Sequence, residues 1–180
     1  MVDNRTRLFV ASFVTLLVAG LFFGLRASIL GDWATQFGFT KGELGTITGG
    51  GFVGFGVVIL IASALAEKVG YAKLMWVAFV LHVLSAVVTI AATPVYGDGS
   101  AGNEAAYWML YVGMFMFAVA WGTCEAIVNP LTATLYPEEK THYLNILHAG
   151  WPGGLILGGL IGYFFASSDA KLFQVSWEIR

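Results

Sequence analysis

One acidic residue, Glu125, stands deep inside a long apolar stretch of the sequence. Trp121 precedes it by four residues and Asn129 follows it by four, so in a helix the three lie on one face. An ionisable group surrounded by lipid is costly and usually faces a cavity or a partner. Glu125 could exchange a proton with a water-filled path, or it could be a structural acid that neutralises a basic partner. Of these two interpretations we favour proton exchange.

Three other polar residues interrupt apolar stretches. Arg26 lies near the end of the first stretch, where its side chain could extend to the membrane interface or turn inward toward Glu125 or a solute. Asn145, His148 and Pro152 follow one another at about one helical turn in the last stretch. A histidine there could bind a hydroxylated solute or relay a proton, although a packed, hydrogen-bonded histidine fits nearly as well.

Nothing in the sequence predicts an enzyme, and we expect no cofactor and no metal. Gly49–Gly54 fits the dinucleotide pattern G-x-G-x-x-G, but no strand precedes it and the surrounding run is uncharged. The single cysteine, Cys124, excludes an internal disulfide and a multi-cysteine metal site. A net charge of −2 argues against nucleic acid as a partner.

The elements that must carry these residues are long apolar segments. The chain of 180 residues is 58% hydrophobic and only 11% charged, and its mean hydropathy is +0.78. Soluble domains carry about 25% charged residues, so the composition predicts an all-α integral membrane protein in the lipid bilayer. A spanning helix needs about 20 apolar residues. We predict one transmembrane domain over residues 1–180, with spans at about 8–30, 44–66, 74–94, 105–136 and 144–166.

The connecting segments carry an uneven distribution of charge. Residues 95–104 contain the acids Asp98 and Glu104 but no cation, and we place this loop outside. With the N-terminus inside, the outer segments hold Lys41, Lys171 and Arg180, whereas the inner ones hold Arg5, Arg7, Lys68, Lys73 and Lys140. Because cytoplasmic loops are enriched in Lys and Arg, this bias predicts a cytoplasmic N-terminus.

Glycines recur every four residues in the fifth predicted span, at Gly150, Gly154, Gly158 and Gly162. The second span has a similar pattern, with the pairs Gly45–Gly49 and Gly50–Gly54. A stripe without side chains lets a neighbouring helix approach closely. It could serve static packing or sliding during transport, and we favour packing.

Three polar-marked segments follow one another in the second half of the sequence: residues 122–130 (G-T-C-E-A-I-V-N-P), 136–140 (Y-P-E-E-K) and 144–148 (L-N-I-L-H). These segments resemble the major facilitator superfamily, and within it the fucose–galactose–glucose/proton symporter group. Residues 65–70 (L-A-E-K-V-G) are similar to that superfamily's cytoplasmic L-A-D-R-x-G loop. His148 stands where the sugar symporters have glutamine.

The resemblance implies five helices of a six-helix N-terminal half, in a twelve-helix protein of the bacterial inner (plasma) membrane. It also implies a sugar-binding role for Glu125, Asn129, Asn145 and His148, with the Trp121 ring stacking on a sugar. Residues 167–180 are polar and then amphipathic, like a loop that leads into a sixth span. We therefore expect an N-terminal fragment whose C-terminal half is a missing partner.

The sequence thus predicts a secondary active transporter for a small polar solute, with a sugar carried by proton symport as the specific case. The alternative is a non-transporting multi-span membrane scaffold or assembly protein that is complete at 180 residues.

Overall fold

Every regular element in the described part of the chain is an α-helix. The computed structural model describes residues 3–97, 103–165 and 173–179. Seven helices follow one another along these residues: α1 (Asn4–Ser28), α2 (Leu30–Phe37), α3 (Lys41–Val69), α4 (Tyr71–Ile90), α5 (Ala92–Tyr96), α6 (Asn103–Leu135) and α7 (Lys140–Phe165).

Five helical stretches among the described residues are long and apolar enough to cross a membrane. They are Asn4–Phe37, Lys41–Val69, Tyr71–Tyr96, Asn103–Leu135 and Lys140–Phe165. Each coincides with one predicted span, which confirms the predicted all-α membrane fold. Asp98 and half of the predicted tail, residues 167–172 and 180, lie outside the described residues.

The first and third spans are longer than the sequence predicted, because a short second helix continues each of them. Helix α2 carries the first span to Phe37, and α5 carries the third to Tyr96. The segment 32–43, expected to be a loop, is therefore mostly helical. Glycines in a left-handed conformation follow both extensions, Gly38 at φ 70° and Gly97 at φ 62°. Glycine adopts such angles without steric penalty, so the helices end where it occurs.

A capping box fixes the start of α3. The Thr40 hydroxyl accepts a hydrogen bond from the Glu43 backbone N–H at 3.3 Å. The Glu43 carboxylate in turn accepts one from the Thr40 backbone N–H at 2.8 Å. Together these bonds satisfy backbone N–H groups that the first turn of a helix leaves without an intrahelical partner.

One compact unit contains residues 1–32 and 128–180, and α1 and α7 form its main helix pair. The glycines of α7 face α1: a Cβ placed at Gly154 would overlap the backbone carbonyl of Leu17. On α1, a Cβ placed at Gly24 would lie 2.7 Å from the carbonyl oxygen of Leu155. The two backbones are therefore in contact, which confirms that the glycine stripe of the fifth span packs on a neighbouring helix.

An aromatic cluster joins the start of α1 to the connection between α6 and α7. The rings of Tyr136 and Tyr143 are stacked with centroids 3.4 Å apart, and Phe9 meets both rings edge-on. The Arg5 guanidinium lies 3.8 Å from the centroid of the Tyr136 ring. This cation–π contact lets Arg5 keep its charge beside an aromatic surface.

The other compact unit runs from Trp33 to Ile127. Within it, α3 places glycines against aromatic rings of α6. A Cβ at Gly50 would overlap the Tyr111 ring, and one at Gly54 would lie 2.8 Å from the Phe115 ring. The second predicted glycine pair of this span therefore packs on a neighbouring helix.

The first predicted pair, Gly45–Gly49, behaves differently. Apart from the local backbone of α3, no described atom lies within 4 Å of a Cβ placed at either residue. The pair is separated by one turn like Gly50–Gly54, so the spacing alone could not distinguish the packed pair from the open one. The packing prediction is corrected here for Gly45 and Gly49.

Candidate functional site

Glu125 and Trp121 are neighbours on the same face of α6, as their spacing predicted. Glu125 is 8% exposed and Trp121 is 7% exposed. The indole Nε1–H of Trp121 donates a hydrogen bond to Oε1 of Glu125 across 3.1 Å. This hydrogen bond holds the carboxyl group in one orientation inside an apolar environment. Among the described residues, Glu125 is the only buried acid.

The indole of Trp121 is itself held from α3. The Phe55 ring stacks on it with centroids 4.1 Å apart and planes inclined by 29°. Sequence analysis missed Phe55, because it is one of several aromatic residues in an apolar span. Only the pairing of α3 with α6 singles it out, and a single sequence does not reveal which helices pair.

Other polar and sulfur groups near Glu125 find partners locally. The Thr123 hydroxyl donates to the backbone carbonyl of Val119 at 2.8 Å. The Cys124 thiol is buried and lies 4.0 Å from the Met75 thioether. No group of three or more His, Cys, Asp or Glu residues that could hold a metal occurs in the described ranges. The glycines of the G-x-G-x-x-G pattern lie in the middle of α3, as expected for a packed helix rather than a nucleotide loop.

Arg26 occupies the last turn of α1. The side chain is half-buried and its Nε atom is fully buried. The two placements of the guanidinium, extended to the interface or turned inward, stay predictions. A guanidinium can donate hydrogen bonds to a polar solute in a fixed geometry.

Asn145 and His148 lie on α7, in the unit that contains residues 128–180, and both side chains are exposed. They occupy a different face of α7 from the buried glycines that contact α1. Their donors and acceptors are therefore accessible to a solute. Asn129, in the same unit, is half-buried and directly precedes Pro130, which interrupts the hydrogen-bond ladder of α6.

The structure therefore brings together two of the predicted site residues, Trp121 and Glu125, in direct contact. Arg26, Asn129, Asn145 and His148 belong to the other compact unit. The unit with Trp121 and Glu125 thus holds a buried, hydrogen-bonded carboxyl group. The other unit carries the amide, imidazole and guanidinium groups.

Comparison with known proteins agrees with the resemblance noted in the sequence. The family model described as Major Facilitator Superfamily matches residues 8–176. The L-fucose-proton symporter of Escherichia coli (strain K12) is 24% identical over 153 residues, which cover 81% of this chain and 33% of the relative. The chain thus spans about a third of the length of this curated relative. No solved structure matches the chain significantly. Because the family model covers nearly the whole sequence, this integral membrane protein belongs to the major facilitator superfamily of transporters.

Proposed function

We propose that the protein moves a small polar solute, a sugar in the first instance, together with a proton. The observation that carries this proposal is Glu125, a buried carboxyl group in a membrane-spanning helix with an indole N–H on one oxygen. Ionisable residues at such positions are rare in membrane helices and mark proton and solute pathways. In this proposal, Glu125 is the proton-coupling residue.

The solute-binding roles fall to side chains that can form hydrogen bonds with hydroxyl groups. Asn145 and His148 are accessible on α7, Asn129 adds an amide on α6, and Arg26 supplies a charged donor from α1. For Trp121 we propose an aromatic contact with the solute; its ring is buried and stacks on Phe55. A sugar presents hydroxyl groups around its edge and an apolar C–H face, so amides and an aromatic ring together suit it.

The substrate in the name of this relative suggests which solutes to test first. That protein is named an L-fucose-proton symporter. The resemblance in the sequence covers transporters of fucose, galactose and glucose. We therefore propose hexoses and deoxyhexoses as the first substrate class, with His148 as a residue that distinguishes this chain from the glutamine-bearing sugar symporters.

Counterflow in proteoliposomes tests the solute class. The protein is expressed from its own gene, reconstituted, and loaded with unlabelled L-fucose, D-galactose or D-glucose before dilution into the labelled sugar. We expect transient accumulation of at least one of these sugars, and its loss when both Asn145 and His148 are replaced by alanine. If no sugar exchanges although the protein is folded, the sugar assignment is wrong. If a wider panel of polar solutes also fails, the scaffold alternative gains.

We further propose that the N-terminus is cytoplasmic in a bacterial inner membrane, from the distribution of Lys and Arg. Glu104 and Lys140 are both exposed, whereas Cys124 is buried. In a Cys124→Ser background, an impermeant thiol reagent added to whole cells is expected to label Glu104→Cys and not Lys140→Cys. The opposite labelling pattern would invert the orientation.

A further inference from the structure

We propose that Phe55 is a positioning residue for the proton site: its ring holds the Trp121 indole in the orientation that hydrogen-bonds Glu125. The proposal rests on the proposed proton-coupling role of Glu125. It adds a residue on α3 that touches neither the proton nor the solute and acts only through Trp121.

Two contacts link Phe55, Trp121 and Glu125 inside one compact unit. The Phe55 and Trp121 rings are stacked, with centroids 4.1 Å apart and planes inclined by 29°. At this separation the indole can no longer rotate about its side-chain bonds without leaving the stack. Its Nε1–H therefore stays within 3.1 Å of Oε1 of Glu125. At one end of this series of contacts is the partly buried ring of Phe55 on α3, and at the other is the buried carboxyl group of Glu125.

Gly122 makes the close approach of the two helices possible. A Cβ at this residue would lie 3.1 Å from the Phe55 carbonyl oxygen and 3.3 Å from the Phe55 ring. It would also lie 2.5 Å from a methyl group of Val58. A side chain at residue 122 would thus push α3 away from α6 at the level of the stack. Gly122 and the Phe55 ring therefore act together: the glycine lets the helices approach, and the ring then contacts Trp121.

Phe55 lies on α3, whereas Trp121 and Glu125 both lie on α6. Trp121 and Glu125 share one helix, so their relative position is fixed by α6 except for side-chain rotation. The Phe55 ring restricts that rotation from a different helix. A change in the distance between α3 and α6 would therefore alter the hydrogen bond to Glu125, which gives helix movement a direct route to the proton site.

The test compares Phe55→Leu with Phe55→Tyr and with Phe52→Leu. The leucine variant removes the ring but keeps an apolar side chain, whereas the tyrosine variant keeps the stack. Phe52 lies about one turn earlier on α3 and is 54% exposed, so its replacement is the matched control. The first readout is the infrared band of the Glu125 carboxyl, identified as the band lost in Glu125→Gln. The C=O band of a protonated carboxyl moves to higher wavenumber when it loses a hydrogen-bond donor.

We expect the band to move in Phe55→Leu in the same direction as in Trp121→Phe, which deletes the N–H donor. Phe55→Tyr and Phe52→Leu are expected to keep the parent's band. An aromatic pair stabilises its contact by an amount equivalent to a change of about twofold to tenfold in an equilibrium. Proton-driven accumulation of the sugar identified by counterflow is expected to fall by a similar factor in Phe55→Leu.

The two readouts separate this proposal from the proposed function. An unchanged Glu125 band in folded Phe55→Leu overturns the positioning role, whatever transport shows. A shift of equal size in Phe52→Leu also overturns it, because the effect is then general to α3. If the band moves in Phe55→Leu but the parent shows no proton-driven uptake, the positioning role stands and the proton-coupling function fails.

Discussion

Glu125→Gln is expected to abolish uphill accumulation of the solute and to leave exchange of the solute across the membrane intact. Glutamine has the shape of a protonated glutamate, and its amide oxygen can still accept the Trp121 hydrogen bond that Oε1 accepts in the parent. The variant should therefore fold. Because it cannot release or bind a proton, a pH gradient should no longer drive transport. Proteoliposomes with an imposed pH gradient measure this, and internal solute should stop rising once it equals the external concentration.

Glu125→Ala serves as the companion variant. It removes the acceptor of the Trp121 N–H and leaves a buried indole donor that must find another partner. We expect it to lose exchange as well as accumulation. Accumulation by Glu125→Gln at the parent's level would show that the proton is carried by another group.

Gly154→Leu is expected to separate α7 from α1 and to lower the stability of the folded protein strongly. A Cβ alone at this residue would overlap the Leu17 carbonyl and lie 2.6 Å from the Leu21 backbone nitrogen. These are backbone atoms on α1, which cannot move aside as a flexible side chain would. Overpacking a tight interface lowers the free energy of unfolding by about 1–3 kcal/mol. We expect the loss in Gly154→Leu to lie at the upper end of this range. The apparent melting temperature in detergent and the folded yield measure the effect.

Gly153→Leu is the matched control for this substitution. Gly153 is the adjacent residue on the same helix. Apart from the local backbone of α7, no described atom lies within 4 Å of a Cβ placed there. Its replacement is expected to leave the melting temperature close to the parent's. Gly154→Ala should already be destabilising, although less than leucine, because the overlap begins at the Cβ. Equal tolerance of leucine at residues 153 and 154 would contradict the packing of α1 against α7.

Much of the fold could be predicted from the sequence because the bilayer imposes a simple rule on composition and length. Each predicted span coincides with one apolar helical stretch of the structure. The helix ends were less predictable. Helix α2 extends the first span to Phe37 through residues that include Asp32 and Gln36, which hydropathy alone assigns to a loop. There, burial of Trp33 and Phe37 outweighs the low hydropathy of their neighbours.

The candidate site was predictable only where one helix determines the geometry. The hydrogen bond between Trp121 and Glu125 follows from a spacing of four residues on α6. The stack of Phe55 on Trp121 depends on which helices pair and at what height, which periodicity does not reveal. The same limit explains why Gly50–Gly54 and Gly45–Gly49 looked alike in sequence but differ in packing.

The most direct test of proton-coupled transport is to follow proton movement when solute is added, without an imposed pH gradient. The protein is reconstituted with a pH-sensitive dye inside the vesicles, and each sugar of the counterflow panel is added outside. The account predicts that a transported sugar acidifies the lumen. It also predicts that Glu125→Gln gives no change in dye signal, although this variant still exchanges the same sugar in the counterflow assay. Transport of the sugar by the parent with no proton entry, or proton entry that persists in Glu125→Gln, would contradict it.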